Sequence, residues 1–142
     1  MKSVVICGSG RYIDEINHFA ARLKQLGVAR VFTPNFNTRR RTFMTTLEER
    51  ERMESKAYRS QLPAAVFQHL DRIRKAEVCF VYNKAGYLGV NTTLELGFAH
   101  GRDMIIYALE PEGALDSGGE ICRGVLISDV VSTPEELMER LK

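Results

Sequence analysis

The sequence predicts a doubly wound α/β domain, built on a five-stranded parallel sheet of flavodoxin-like (Rossmann-like) order. Three observations carry that prediction. Short apolar runs of strand length alternate with helical patterns along the chain, the arrangement that βαβ units require. The first run, Val4-Val5-Ile6-Cys7, passes at once into Gly8-Ser9-Gly10 and then into a helical pattern, which is how a βαβ unit opens. The central run, Val78 to Tyr82, is uninterrupted apolar and aromatic and enters a glycine-bearing loop, as expected of a strand buried on both faces. At 142 residues the chain has room for one ordinary core, so residues 1–142 are read as a single domain.

The elements follow in order. Ser3 to Cys7 is the first strand. Ile13, Ile16, Ala20, Leu23 and Leu26 share one face of a helix that Gly27 ends. Val28 to Thr33 is a second strand, and after Pro34 the character changes. From about 35 to 61 the chain is polar and densely charged, with Arg39, Arg40 and Arg41 in succession and a capping pair at Thr46 and Glu49. So little apolar surface predicts a helical lid or an interface segment rather than core. Pro63 opens the next helix, with Val66, Phe67, Leu70 and Ile73 inward, and Val78 to Tyr82 is the third strand. Leu94, Leu96, Phe98 and Ala99 mark a helix, Met104 to Leu109 a fourth strand, Glu110 to Glu120 a loop, and Val125 to Ile127 a fifth strand. Thr133-Pro134-Glu135-Glu136 starts the last helix with an N-cap, a proline at its first position and a capping glutamate.

Composition narrows the function. The formal net charge is +2 with both signs interspersed, too little to draw in a nucleic acid polymer. The apolar runs are far shorter than a membrane span. Met1-Lys2-Ser3 leads into only four apolar residues, which does not make a signal sequence. Cys7, Cys79 and Cys122 form an odd set without a Cys-x-x-Cys pair, so reduced thiols and a cytoplasmic setting are expected.

The chemistry concentrates at the carboxyl end of the central strand, where ligands bind in open parallel sheets. There Asn83 to Gly89 forms the loop, and Glu95 is the acidic residue of the helix that follows. Thr92 and Glu95 also have the spacing of a capping box. Glu95 is therefore either a cap or a catalyst. Gly8-Ser9-Gly10 lacks the third glycine of the dinucleotide fingerprint. It is either a tight turn or a short anion-binding loop, in which backbone N–H groups and Arg11 meet a phosphate.

Asn83, Gly86-Tyr87, Gly89 and Asn91-Thr92-Thr93-Leu94-Glu95-Leu96-Gly97-Phe98-Ala99 resemble the signature loop of the nucleoside 2-deoxyribosyltransferase superfamily. Cys7-Gly8-Ser9-Gly10-Arg11 is similar to the opening of its 2′-deoxynucleoside 5′-phosphate N-hydrolase branch. The resemblance implies cleavage or transfer at the N-glycosidic bond of a nucleoside or its 5′-monophosphate. It implies Glu95 as the carboxylate nucleophile, since the superfamily's nucleophilic glutamate precedes Leu-Gly. It places the acid that assists the leaving base on His69, or on Asp71 after a local shift. It places substrate contacts on Gly8, Ser9, Gly10, Arg11, Asn83, Gly89, Asn91 and Thr92, with Gly89 standing where the hydrolases carry a phosphate-binding serine. Such chemistry requires neither a metal nor a redox cofactor.

The superfamily also shares its pocket between subunits, which implies a homodimer or higher. Met44, Leu47, Met53 and Tyr58 in the charged segment are the side chains expected to lie on a second copy. Cytokinin-activating phosphoribohydrolases open similarly, but their Pro-Gly-Gly-x-Gly-Thr loop is absent. A reading of a different class is a non-catalytic module that binds or senses a nucleotide in the same pocket.

Overall fold

The computed structural model describes residues 1–35, 56–112 and 121–142, with side chains from residue 59 onward in the second of these stretches. Five parallel strands, β1 (Val4–Gly8), β2 (Val31–Phe32), β3 (Val78–Tyr82), β4 (Ile105–Ala108) and β5 (Asp129–Val130), lie in the order β2-β1-β3-β4-β5. This is the flavodoxin-like order. The α-helices among the described residues are α1 (Ile13–Gln25), α2 (Lys56–Lys75), α3 (Val90–Gly101), α4 (Ile121–Gly124) and α5 (Pro134–Leu141). Arg39 to Arg41, the pair Thr46 and Glu49, Met44, Leu47, Met53 and the side chain of Tyr58 lie outside the described residues. No described helix is long and apolar enough to cross a membrane.

Strand alternation divides the core into two layers. Val4, Ile6, Val78, Phe80 and Tyr82 pack with Ile16, Phe19 and Leu23 of α1 and Leu137 and Leu141 of α5. Val5, Cys7, Cys79 and Val81 face the other way, onto Ile73 of α2 and Leu96 and Ala99 of α3. β1 and β3 pair along their whole length, from Val4 opposite Val78 to Gly8 opposite Tyr82. A Cβ on Gly8 would lie 2.7 Å from Ile16 Cδ1 and 3.2 Å from Tyr82 Cβ. The glycine thus lets α1 approach the sheet closely.

Two helix ends follow the sequence signals. Gly27 takes φ +97°, and the N–H groups of Gly27 and Val28 donate to the carbonyls of Lys24 and Leu23, a Schellman closure of α1. At α5, Thr133 Oγ1 accepts from Glu136 N at 3.2 Å, while Glu136 Oε2 accepts from Ser132 N at 2.9 Å.

Other signals mislead. Val28 spends its N–H on closing α1, so the chain first meets β1 where the Arg30 carbonyl accepts from Val4 N at 3.1 Å, and the second strand shrinks to Val31–Phe32. Pro63 lies inside α2 rather than opening it. Phe67 is 70% exposed, whereas His69 is buried. The inward stripe runs through Val66, His69 and Ile73, at helical spacing, with Phe67 well off it. The fifth strand is Asp129–Val130, not Val125 to Ile127. Leu126 and Ile127 donate to the carbonyls of Arg123 and Gly124, which keeps that stretch in turns while both side chains cover the α2–α3 layer.

Candidate functional site

β1 and β3 are neighbours whose onward connections leave toward opposite edges of the sheet, which makes the gap at their carboxyl ends the topological switch point. Three buried polar side chains from three elements meet beside it. Cys7 is the penultimate residue of β1, His69 comes from α2, and Glu95 comes from the second turn of α3. Cys7 Sγ lies 3.4 Å from His69 Nε2, and His69 Nε2 lies 3.7 Å from Glu95 Oε2. Cys7 is fully buried, and His69 and Glu95 are 3% and 7% exposed. Cys79 Sγ adds a thiol 3.8 Å from Cys7 Sγ.

The capping alternative for Glu95 is removed by where the helix begins. Gly89 is the N-cap of α3, and no side chain caps it. Thr93 bonds back to the Gly89 carbonyl through both its N–H (3.0 Å) and its hydroxyl (2.9 Å). Thr92 is a buried interior residue of the helix, and Glu95 lies one turn beyond it on the same face. The Thr92–Glu95 capping box therefore does not form.

Burial sets the charge states. The His69 imidazole is lowered from 6.5 to about 4, chiefly by burial and further by the positive charge of Arg72. It is neutral near neutral pH, so its approach to Glu95 is a dipolar contact there and not an ion pair. The Cys7 thiol is raised well above its ordinary value by its hydrogen bond with Cys79, by burial and by the negative charge of Glu95. It stays protonated. His69 Nδ1 is buried and has no hydrogen-bond partner among the described residues.

The remaining predicted residues divide. Ser9 caps the 3₁₀ turn Gly10–Tyr12, its Oγ accepting from Arg11 N at 3.2 Å. The Arg11 guanidinium lies 3.8 Å from the Tyr87 ring centroid, so cation–π attraction ties the loop after β1 to the loop after β3. Gly8 ends β1, Gly10 begins the 3₁₀ turn, and Gly89 and Asn91 lie at the start of α3. Asn83 is fully buried, and its side chain is spent on structure. Its Nδ2 donates to the Glu110 carbonyl at 2.8 Å and its Oδ1 accepts from Glu110 N at 2.9 Å. Glu110 in turn accepts from Ala85 N through its carboxylate, which holds Ala85 at φ 56° and Gly86 at φ 73°. Asp71 is not brought to the cluster. It pairs with Lys75 at 2.7 Å on a half-exposed face of α2, and that pairing lowers its carboxyl.

Sequence reasoning overlooked Cys7 as a member of the site and Tyr87 as the platform for Arg11. Alternation along β1 carried the first signal, since it aims Cys7 at the same layer as Val5.

No family model matches the chain, and no curated protein does. Among solved structures, it is similar to a conserved protein from Enterococcus faecalis V583, with a TM-score of 0.57 and 14% identity over 99% of this chain and 98% of that one. At that identity the likeness shows the fold alone, an α/β arrangement around an all-parallel sheet.

Proposed function

We propose that the chain breaks the N-glycosidic bond of a nucleoside, deoxy or ribo, free or as its 5′-monophosphate, with Glu95 as nucleophile. A single observation carries this reading. Glu95 is a buried carboxylate beside the switch point, on a helix whose N-terminus it does not cap. A carboxylate placed there can attack C1′ of a sugar as positive charge develops on it. The C1′–N bond breaks with its electron pair leaving on the base, which takes up a proton, and the sugar is held as an ester of Glu95. Water, or a nitrogen of a second base, then attacks C1′, gives up a proton and frees the carboxylate. Hydrolysis and transfer differ only in that second step.

Of the two acids expected, His69 is the one beside Glu95. Being neutral, it serves as an N–H donor that orients the carboxylate or the leaving base, rather than as a fully charged acid. Gly8, Ser9, Gly10 and Arg11 are the groups offered to a 5′-phosphate, joined by Gly89, Asn91 and Thr92 at the start of α3. A homodimer or higher assembly completes the proposal. Val90 and Leu94, one turn apart on α3, are 71% and 64% exposed, next to the helix position that carries Glu95. The free thiols accord with a cytoplasmic setting.

Base release from a panel of nucleosides and their monophosphates, followed by chromatography, tests the reading. Release by the wild-type chain, abolished in Glu95→Gln with folding retained, is the expected result. Undiminished release by Glu95→Gln ends the catalytic assignment. The neutrality of His69 favours one second reading, a module that binds a nucleotide without cleaving it. Saturable binding with no release by the wild-type chain would select it.

A further inference from the structure

The same three side chains have the geometry of a chelating set. Cys7 Sγ, a His69 ring nitrogen and a Glu95 carboxylate oxygen all lie within 4.8 Å of one another, and all three residues are buried. The 3.7 Å between His69 Nε2 and Glu95 Oε2 is longer than a normal N–H···O hydrogen bond. It is close to the spacing of two ligands on one ion. With Zn–S near 2.3 Å and Zn–N or Zn–O near 2.0–2.1 Å, tetrahedral donors lie about 3.3–3.6 Å apart. The observed 3.4 Å and 3.7 Å separations fall at or just beyond that range. Each donor comes from a different element, so the packing of α2 and α3 on β1 brings them together.

We propose that Cys7, His69 and Glu95 form a three-donor site for a divalent transition-metal ion of the zinc type, leaving the fourth position open to water. The donor set, one sulfur, one imidazole nitrogen and one carboxylate oxygen, favours zinc or cobalt over magnesium or calcium. Binding displaces the Cys7 proton to solvent and forms a thiolate–metal bond, while the neutral imidazole is already in the ligating form. Among the described residues His69 Nδ1 has no outer hydrogen bond of the kind that usually stiffens a histidine ligand, which lowers the affinity expected. The ion takes the carboxylate that the glycosidase reading needs, and metal and substrate therefore exclude each other.

The test is optical and does not depend on turnover. Reduced, chelator-treated protein is titrated anaerobically with cobalt(II). One equivalent per chain should give a thiolate-to-cobalt charge-transfer band and the intense visible bands of a four-coordinate ion, and zinc should bleach both. Cys7→Ser should remove the charge-transfer band, while Cys122→Ser, which alters an exposed thiol, should leave it. Should Cys7→Ser fail to fold, Glu95→Gln and His69→Gln take its place, each weakening zinc binding at least roughly tenfold in competition with a chromophoric chelator. Absence of the band at micromolar cobalt, its survival in Cys7→Ser, or unchanged zinc affinity in both substitute variants would overturn the proposal. Failure of base release would leave this result standing, and failure of cobalt binding would leave the glycosidase reading standing.

Discussion

Arg11 and His69 carry the most testable consequences of single side chains. Arg11 stacks on Tyr87 in the loops that frame β1 and β3, and a guanidinium is suited to a phosphate. Arg11→Ala should weaken binding of a nucleoside monophosphate at least roughly tenfold more than binding of the matching nucleoside; equal losses in calorimetry would make Arg11 a structural residue. His69 bears on stability. Its imidazole sits near 6.5 when exposed and about 4 when folded. Between those values the unfolded chain holds the proton and the folded chain does not, so stability rises with pH across that window. The contribution is complete above the upper value and is lost as pH falls toward the lower one, on the order of 3 kcal/mol in all. The groups around the ring, Cys7, Glu95 and Arg72, remain in place in His69→Gln. Urea unfolding near neutrality and at about pH 5 should therefore show a slope that this variant flattens.

The elements show which parts of the fold could be read from sequence. β1 and β3 are buried on both faces, so their apolar runs are unbroken and their bounds were legible to within a residue. The start of α5 was equally legible, because its cap is a local hydrogen bond between Thr133 and Glu136. Thr133→Ala should cost about 1 kcal/mol in urea unfolding. β5 was hidden because it is a short, exposed edge pair containing Asp129, while the apolar residues before it cover a helix layer instead. The candidate site was half legible. The loop pattern drew attention to Glu95, but the capping spacing at Thr92 competed with it, and only the position of Gly89 as N-cap decides between them. The partnership of Cys7 with His69 spans 62 positions, and no local periodicity encodes a contact between a strand and a helix that far away.

At the scale of the whole molecule, the strand order places the cluster between two helices on one side of the sheet, α2 and α3. Exposed Val90 and Leu94 on α3 are the apolar pair from which self-association is expected, since closed dimers are the commonest assembly of small soluble chains. Light scattering at micromolar concentration should give at least twice the chain mass, and Leu94→Glu should lower it. A monomer at every concentration would remove the shared-surface part of the proposal.

Cys7, His69 and Glu95 occupy positions that β1, α2 and α3 would otherwise fill with aliphatic side chains. A sequence optimised for that layer alone would replace the buried imidazole and carboxylate with leucine or methionine, and would gain by doing so. The chain thus gives up some durability at this place, and under the proposed function a programme of thermostabilisation guided by packing would converge on a sturdier, inert protein. Sites set into the surface escape that conflict, because their residues can drift without touching the core. In the proposed site the scaffold and the chemistry share the same atoms.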